Sequence, residues 1–290
     1  MKEKNLGSYG GETSPEEWEI PGYGGQPILA HTQYPTDSEQ PVCQAIICHG
    51  FKGYMDYSFM PRLAHTLAES RILTHRFNFS HSGMTREIET FAKPELFELD
   101  TWNRQIFDLT EVIKHVRQLH PDLPVCLIGH SRGGVTALLC ASKLGADMIK
   151  FVITLAAPAD ALRLDPLSQQ TLLREGRIPS ISNRTGQTLY VGRDWLAEIQ
   201  SNPDSHDPLA ASAKLENRAV HIHGDADETV SVDDLSRYST ANPSAQTYIV
   251  PGANHVFNAP NPLPIKSEVP AQTASMMKKV LQILSVEIGH

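Results

Sequence analysis

Residues 125–134, V-C-L-I-G-H-S-R-G-G, join an apolar run to a helical pattern through a glycine-rich turn. The first four residues predict a buried strand, and the run V-T-A-L-L-C-A-S-K-L that follows at 135–144 predicts a helix. Between them lies G-H-S-R-G, a G-x-S-x-G pattern. In a strand-to-helix setting this pattern is typical of a tight turn that presents its serine above a sheet. The sequence therefore predicts that Ser131 is an accessible nucleophile.

The two glycines of the pattern and the predicted helix after it are both consistent with such a turn. Side chains at Gly129 and Gly133 would crowd the turn, so both positions need a residue without a Cβ. The amino end of the helix presents free N–H groups and partial positive charge at the same place, which favours an oxyanion. A glycine-rich loop with a buried or capping serine is the alternative, and the flanking strand and helix argue against it.

The composition is that of a globular protein. The chain has 290 residues, 40% hydrophobic and 20% charged, and a net charge of −8. This charge argues against nucleic acid and anionic membrane surfaces as partners. No apolar run approaches the roughly 20 residues that span a bilayer, and the start lacks the apolar core of a signal peptide. The four cysteines lack metal-ligand spacing. We therefore expect a cytoplasmic protein without a membrane span, metal or cofactor.

Apolar strands alternate with amphipathic helices along most of the chain, which implies parallel strands joined by crossover helices. Residues 1–26 are expected to form a loose arm or an edge strand. Residues 158–217 break the alternation and include a predicted hairpin at 178–191, after which the alternation resumes. We therefore predict one α/β domain over residues 1–290, with a cap insertion at 159–217.

Two late loops offer the partners that a serine nucleophile needs. A serine hydroxyl requires a base, and the base requires an acid that holds its tautomer. Asp225 and Asp227 follow the predicted strand 219–223, and His255 follows the strand 247–250. Both loops leave the strand ends where open parallel sheets place their sites. Asp227 is the predicted acid, with Asp225 and Asp160 as alternatives.

Four motifs resemble the α/β-hydrolase superfamily, in particular its serine esterase and serine-aminopeptidase-like members, which include feruloyl-esterase-like enzymes. They are H-G-F-K-G from residue 49, G-H-S-R-G-G from 129, H-G-D-A-D-E-T-V from 223 and G-A-N-H-V-F from 252. The similarity spans about residues 28 to 285. It implies a mostly parallel central sheet with helices on both faces and a short inserted cap. It also implies that Ser131 is the nucleophile, Asp227 the acid and His255 the base.

The resemblance further implies an oxyanion hole made by the backbone N–H groups of Arg132 and Phe51. The lipase pattern H-G-G-G is absent, because Phe51 and Lys52 replace two of its glycines. Lys52, His81 and Trp195 are the predicted substrate contacts, with solvated, turn and packing roles as their alternatives. His221 and His223 alternate on one strand, but a metal site there lacks an evident third ligand.

The implied activity is hydrolysis of carboxylic esters of small or medium acyl or aryl groups through an acyl-enzyme. Peptidase, thioesterase and acyltransferase reactions use the same triad and stay open. A catalytically silent binding protein is the third class, and the filled triad positions argue against it. The expected partner is a small-molecule ester, and the oligomeric state, monomer or homodimer, is open.

Overall fold

The computed structural model describes residues 14–35 and 40–288, so the first half of the predicted N-terminal arm lies outside the described residues. The strands are β1 (Glu16–Pro21), β2 (Pro27–Gln33), β3 (Cys43–Cys48), β4 (Ile72–Asn78), β5 (Val125–His130), β6 (Phe151–Leu155), β7 (Arg177–Ile181), β8 (Thr188–Gly192), β9 (Ala219–Gly224) and β10 (Gln246–Val250). The helices are α1 (Met60–Ala68), α2 (Pro94–Glu98), α3 (Trp102–Leu119), α4 (Arg132–Leu144), α5 (Pro166–Glu175), α6 (Arg193–Ser201), α7 (Pro208–Leu215), α8 (Asp233–Ala241) and α9 (Ala271–Ile288).

Eight strands form one sheet in the order β1-β2-β4-β3-β5-β6-β9-β10. The pairs from β4 to β10 are parallel, whereas β1 and β2 are antiparallel to their neighbours. The edge strand β1 accounts for part of the predicted arm. The carboxyl ends of β5, β9 and β10 lie at one edge of the sheet because these strands run in the same direction. The prediction of a mostly parallel α/β sheet is confirmed.

The sheet separates two apolar cores. Side chains of a strand point alternately to its two faces, so Ile46 packs in one core with Leu109 of α3, while Ile47 packs in the other with Leu63 of α1. All four side chains are 0–1% exposed, and burying each contributes roughly 2 kcal/mol. Helices therefore cover both faces of the sheet and hold its strand ends in a constant position.

The segment after β6 contains the predicted hairpin: β7 and β8 pair antiparallel, with Arg177 opposite Gly192. The last part of the predicted cap has another role. Helix α7 packs against α4 and α8, and its residues Ala211 and Leu215 belong to the core of the main sheet. It is therefore a crossover helix, and we propose that the cap ends before α7 rather than at residue 217.

Across the described parts of the chain, none of the helices combines the length and the apolar character that a bilayer span requires.

Candidate active site

Ser131 lies between β5 and α4 in a backbone conformation that ordinary residues rarely adopt. Its φ is 53° and its ψ is −124°, and its N–H donates to the Leu155 carbonyl at 2.8 Å. A Cβ at Gly129 would lie 2.4 Å from the Gly133 oxygen, and one at Gly133 would lie 2.4 Å from the carbonyl oxygens of Cys48 and His49. Only glycine fits both positions, so the surrounding backbone holds the serine in its strained turn.

A chain of hydrogen bonds joins Ser131 to His255 and Asp227. The Ser131 Oγ lies 3.0 Å from His255 Nε2, and His255 Nδ1 lies 2.8 Å from Asp227 Oδ2. The other carboxylate oxygen, Oδ1, accepts the backbone N–H groups of Thr229 at 2.8 Å and Val230 at 2.9 Å. The imidazole is therefore oriented to accept the serine proton at Nε2 while Nδ1 donates to a fixed carboxylate.

Of the three candidate acids, the structure brings Asp227 to the imidazole. Burial alone would raise its pKa, but hydrogen bonds from His223 and His255 hold it well below the ordinary aspartate value. Asp225 accepts the Gly252 N–H at 2.6 Å instead. Asp160 accepts two hydrogen bonds from Arg237, at 2.6 and 2.8 Å. Neither of these carboxylates contacts His255.

A second histidine, His223, contacts Asp227, and this contact was not predicted from the sequence. Its Nε2 donates to the Val230 carbonyl at 3.0 Å and also lies 3.2 Å from Asp227 Oδ2. The same oxygen accepts the His255 Nδ1 hydrogen. His223 therefore helps to fix the position of the carboxylate oxygen that faces His255. The sequence offered one indication of this contact, because His223 begins the motif H-G-D-A-D-E-T-V and lies four residues before Asp227.

We expect His223→Leu to lower kcat about tenfold with little change in KM, because the Asp227 carboxylate loses a donor and gains freedom to turn. His223→Gln should recover much of the loss, because a glutamine amide can place an N–H near the position of Nε2. Steady-state kinetics of the two variants measures this effect. Equal kcat values for His223→Leu and the wild type would contradict the positioning role.

His130, the residue before Ser131, holds the loop that carries His255. Its Nε2 donates to the backbone carbonyl of His255 at 2.8 Å. Burial and the nearby His255 lower the pKa of His130 to about 3, so the ring is neutral and keeps its single N–H for this bond. The strained turn that carries Ser131, here called the elbow, is thereby joined directly to the loop that carries His255.

The predicted oxyanion loop is shaped by His49. The Phe79 N–H donates to His49 Nε2 at 3.3 Å, so Nδ1 carries the proton and donates to the Gly50 carbonyl at 2.9 Å. Burial lowers the pKa of His49 to about 4, which favours this neutral form. Among the described residues the N–H of Phe51 has no hydrogen-bond acceptor. The N–H of Arg132 is the first of α4 and points out of the helix.

Two cavities meet at Ser131. The first, here called the aromatic cavity, has a volume of about 440 Å³, and its lining includes the side chains of Phe51, Trp102, Arg132, Ile178, Val191 and Trp195. The second, here called the imidazole cavity, has a volume of about 280 Å³, and its lining includes Lys52, Tyr57, His130, Asn183, Arg184 and His255. Ser131 and Phe51 line both cavities, whereas His255 lines the imidazole cavity alone.

The positive charge of Arg132, which lines the aromatic cavity, is compensated by a nearby carboxylate. Its Nη2 lies 3.1 Å from Asp100 Oδ2, and the guanidinium stacks over the rings of Trp102 at 4.7 Å and Phe51 at 5.6 Å. Burial raises the pKa of Asp100 to about 6, against the opposing effects of Arg132 and Gln105. Asp100 is therefore mostly ionised at neutral pH and compensates the arginine charge.

The three predicted substrate contacts have different surroundings. Trp195 of α6 is 9% exposed and lines the aromatic cavity, and Lys52 lines the imidazole cavity. His81 lies elsewhere: its Nδ1 is 2.8 Å from Ser80 Oγ, which donates to Asp108 at 2.8 Å. The described lining of neither cavity includes His81. Its ring is therefore part of a buried structural network rather than a wall of the site.

His221 and His223, the pair considered for a metal, have separate hydrogen-bond partners. His221 lies between Thr154 Oγ1 at 2.8 Å and Ser212 Oγ at 2.9 Å, and its ring stacks on Tyr238. Within residues 14–35 and 40–288, no group of three or more His, Cys, Asp or Glu side chains could hold a metal ion.

A family model and solved structures are similar to this chain. The model of the alpha/beta hydrolase family matches residues 45–265, a span that contains Ser131, Asp227 and His255. No curated protein matches the chain.

The similar solved structures cover nearly the whole chain. Est1E from Butyrivibrio proteoclasticus is 16% identical, with a TM-score of 0.68 over 94% of this chain and 99% of its own. Est1E has also been solved with ferulic acid bound. The esterase domain of a Rhodothermus marinus protein is 17% identical, with a TM-score of 0.62 over 94% of this chain and 98% of its own. XC6422 from Xanthomonas campestris, described as an a/b serine hydrolase without lid, is 19% identical, with a TM-score of 0.60 over 96% of both chains. At these identities the likeness establishes a shared fold.

Proposed function

Because the chain belongs to the alpha/beta hydrolase family, we propose that it is a serine hydrolase that cleaves carboxylic esters through an acyl-enzyme on Ser131. The observation that carries this proposal is the continuous hydrogen-bond chain from Asp227 through His255 to Ser131, with both distances at or below 3.0 Å. The acyl part of the ester is a small or medium alkyl or aryl group, and the other part of the ester leaves as an alcohol.

The proposed reaction has two halves. His255 Nε2 takes the proton of Ser131 as its Oγ attacks the ester carbonyl, and Asp227 stabilises the imidazolium that forms. The N–H groups of Phe51 and Arg132 hold the oxyanion, and each such donor typically contributes about 3 kcal/mol. The tetrahedral intermediate then collapses, and His255 returns the proton to the departing alcohol oxygen. Water, deprotonated by the same imidazole, attacks the acyl-enzyme and releases the acid.

The position of the imidazole assigns the two cavities in this proposal. His255 must reach the oxygen of the departing alcohol, so the alcohol lies on the side of the serine that His255 lines. That side is the imidazole cavity. The acyl group then extends into the aromatic cavity, where Trp102 and Trp195 provide flat apolar walls. The bound ferulic acid of Est1E supports an aryl acid as the acyl group.

The protein also carries four cysteines, Cys43, Cys48, Cys126 and Cys140, which are buried and free of disulfides. Free buried thiols are common in a reducing compartment. This composition supports our proposal of a cytoplasmic location.

The test of the proposed function combines active-site labelling with a substrate panel. A fluorophosphonate probe is expected to label the protein at Ser131, as located by peptide mass spectrometry. Matched aryl ester, thioester and anilide substrates with the same acyl group are expected to be turned over fastest as the ester. Faster turnover of the anilide would favour a peptidase, and faster turnover of the thioester a thioesterase. Absence of both labelling and turnover would instead favour a non-catalytic binding protein.

A further inference from the structure

Lys52 is a partly buried cation for which the described residues provide no counter-ion. It lies in a loop at φ 57°, and its Nζ donates one hydrogen bond, to the Ile181 carbonyl at the end of β7. It forms no ion pair with any of the described carboxylates, and burial lowers its pKa. An ammonium that loses water without gaining a carboxylate is costly, so the site has unused capacity for an anion.

The remaining lining of the imidazole cavity strengthens this positive character. Its described lining residues include the cations Lys52 and Arg184 and no carboxylate, in a chain whose net charge is −8. The guanidinium of Arg184 stacks over Tyr54 at 4.8 Å and Phe91 at 5.0 Å, and it donates to the Ile88 carbonyl. Arg184 is thus held in place and contributes positive potential, while Lys52 retains two N–H donors for a ligand.

In the aromatic cavity, by contrast, most of the charged side chains have partners of opposite charge. Its buried cation, Arg132, is paired with Asp100. Its other cation, Arg163, is exposed and donates to the Thr229 carbonyl at 2.8 Å. Asp160 in the same lining is paired with Arg237. The partly buried cation for which the described residues provide no carboxylate therefore lies on the side of Ser131 where His255 is found.

Building on the serine hydrolase proposed above, we propose that the natural leaving group is an alcohol that bears a carboxylate, a hydroxy acid, and that Lys52 binds this carboxylate. The cavity of about 280 Å³ has room for a leaving group of the size of a hydroxybenzoate. The alcohol oxygen of such a group faces His255 and its carboxylate faces the ammonium. Lys52 is therefore a specificity-determining residue that takes no part in bond making or breaking.

The test compares two esters that differ in one charge. They are the acetyl esters of meta-hydroxybenzoate and meta-hydroxybenzamide, which share the acyl group and the size of the leaving phenol. The ratio of their kcat/KM values is measured for the wild type and for Lys52→Gln. We expect the substitution to lower the carboxylate-to-amide ratio about tenfold. General damage to the loop of Phe51 and Lys52 lowers both rates equally and cancels in the ratio.

Two controls locate the effect. Lys214→Gln also removes one lysine charge, but from an exposed position on α7, and should leave the ratio as in the wild type. A second ester pair carries the carboxylate or amide on the acyl group, and Lys52→Gln should leave that ratio unchanged. An unchanged leaving-group ratio in Lys52→Gln, or a change confined to the acyl pair, overturns the proposal.

A binding measurement separates this proposal from the proposed reaction. Calorimetry of meta-hydroxybenzoate with the Ser131→Ala protein is expected to give a Kd about tenfold lower than with the Ser131→Ala, Lys52→Gln double variant. Equal affinities overturn the role of Lys52, whether or not the protein hydrolyses esters. Lack of ester turnover by the wild type, together with a difference in these affinities, would count against the reaction and not against the anion site.

Discussion

Ser131→Ala is expected to lower kcat for aryl esters by a factor of about 10⁵ to 10⁶. The hydroxyl is the group that forms the acyl-enzyme, and every proton transfer proposed for His255 depends on that intermediate, so the three residues act as a unit. Alanine removes the Oγ that lies 3.0 Å from His255 Nε2 and leaves the rest of the elbow unchanged. The measurement is initial-rate kinetics on a chromogenic aryl ester, with labelling by the fluorophosphonate probe as a second readout.

The matched control for this substitution lies on the same helix. Ser142 of α4 donates to the Leu139 carbonyl at 3.0 Å and lies outside the described lining of both cavities. Ser142→Ala should retain wild-type kcat and probe labelling. Removal of a triad nucleophile lowers kcat by several orders of magnitude. A Ser131→Ala protein that keeps more than about a tenth of wild-type kcat would therefore mean that another group performs the nucleophilic attack.

Asp227→Asn is expected to lower kcat about 10⁴-fold, because it reverses the tautomer of the base. The Asn Oδ1 can still accept the N–H groups of Thr229 and Val230, which turns its amide NH₂ toward His255 Nδ1. That nitrogen must then accept a hydrogen bond, so the ring proton moves to Nε2. An imidazole protonated at Nε2 cannot take the proton of Ser131. Kinetics on the same aryl ester measure the loss of kcat, and circular dichroism verifies that the variant is folded.

Asp225→Asn provides the comparison for this second substitution. Asp225 lies two residues earlier in the same loop and accepts the Gly252 N–H without contacting His255. We expect it to change kcat less than about threefold, within the range of a lost loop hydrogen bond. A larger loss for Asp225→Asn than for Asp227→Asn would assign the acid role to Asp225, one of the alternatives left open by the motif.

The turn around Ser131 could be predicted from the sequence because it depends on residues that are neighbours in the chain. The strand, the glycine-rich turn and the helix follow one another in sequence, and Gly129 and Gly133 mark positions where a Cβ has no room. The order of strands and helices likewise follows from apolar periodicity, which predicted the α/β sheet and the hairpin of β7 and β8. Ser131, Asp227 and His255 follow the ends of β5, β9 and β10, which parallel pairing places together.

Other features depended on packing between segments that are distant in sequence. Helix α7 lies within the segment predicted as the cap, and its packing on α4 shows it to be a crossover helix. His81 follows a strand end like the site residues do, yet its ring turns into a buried network with Ser80 and Asp108. Periodicity carries no information on which way a loop side chain turns.

The amino-acid sequence alone specified the fold class, the strained serine turn and the three residues proposed for the triad, because short motifs at strand ends encode them. The tertiary structure alone established that His223 contacts Asp227, that two cavities meet at Ser131, and that, within the described parts of the chain, Arg132 has a carboxylate partner whereas Lys52 has none. The physical reason is that burial and charge compensation depend on which distant side chains come within a few ångströms, and no local pattern records that distance.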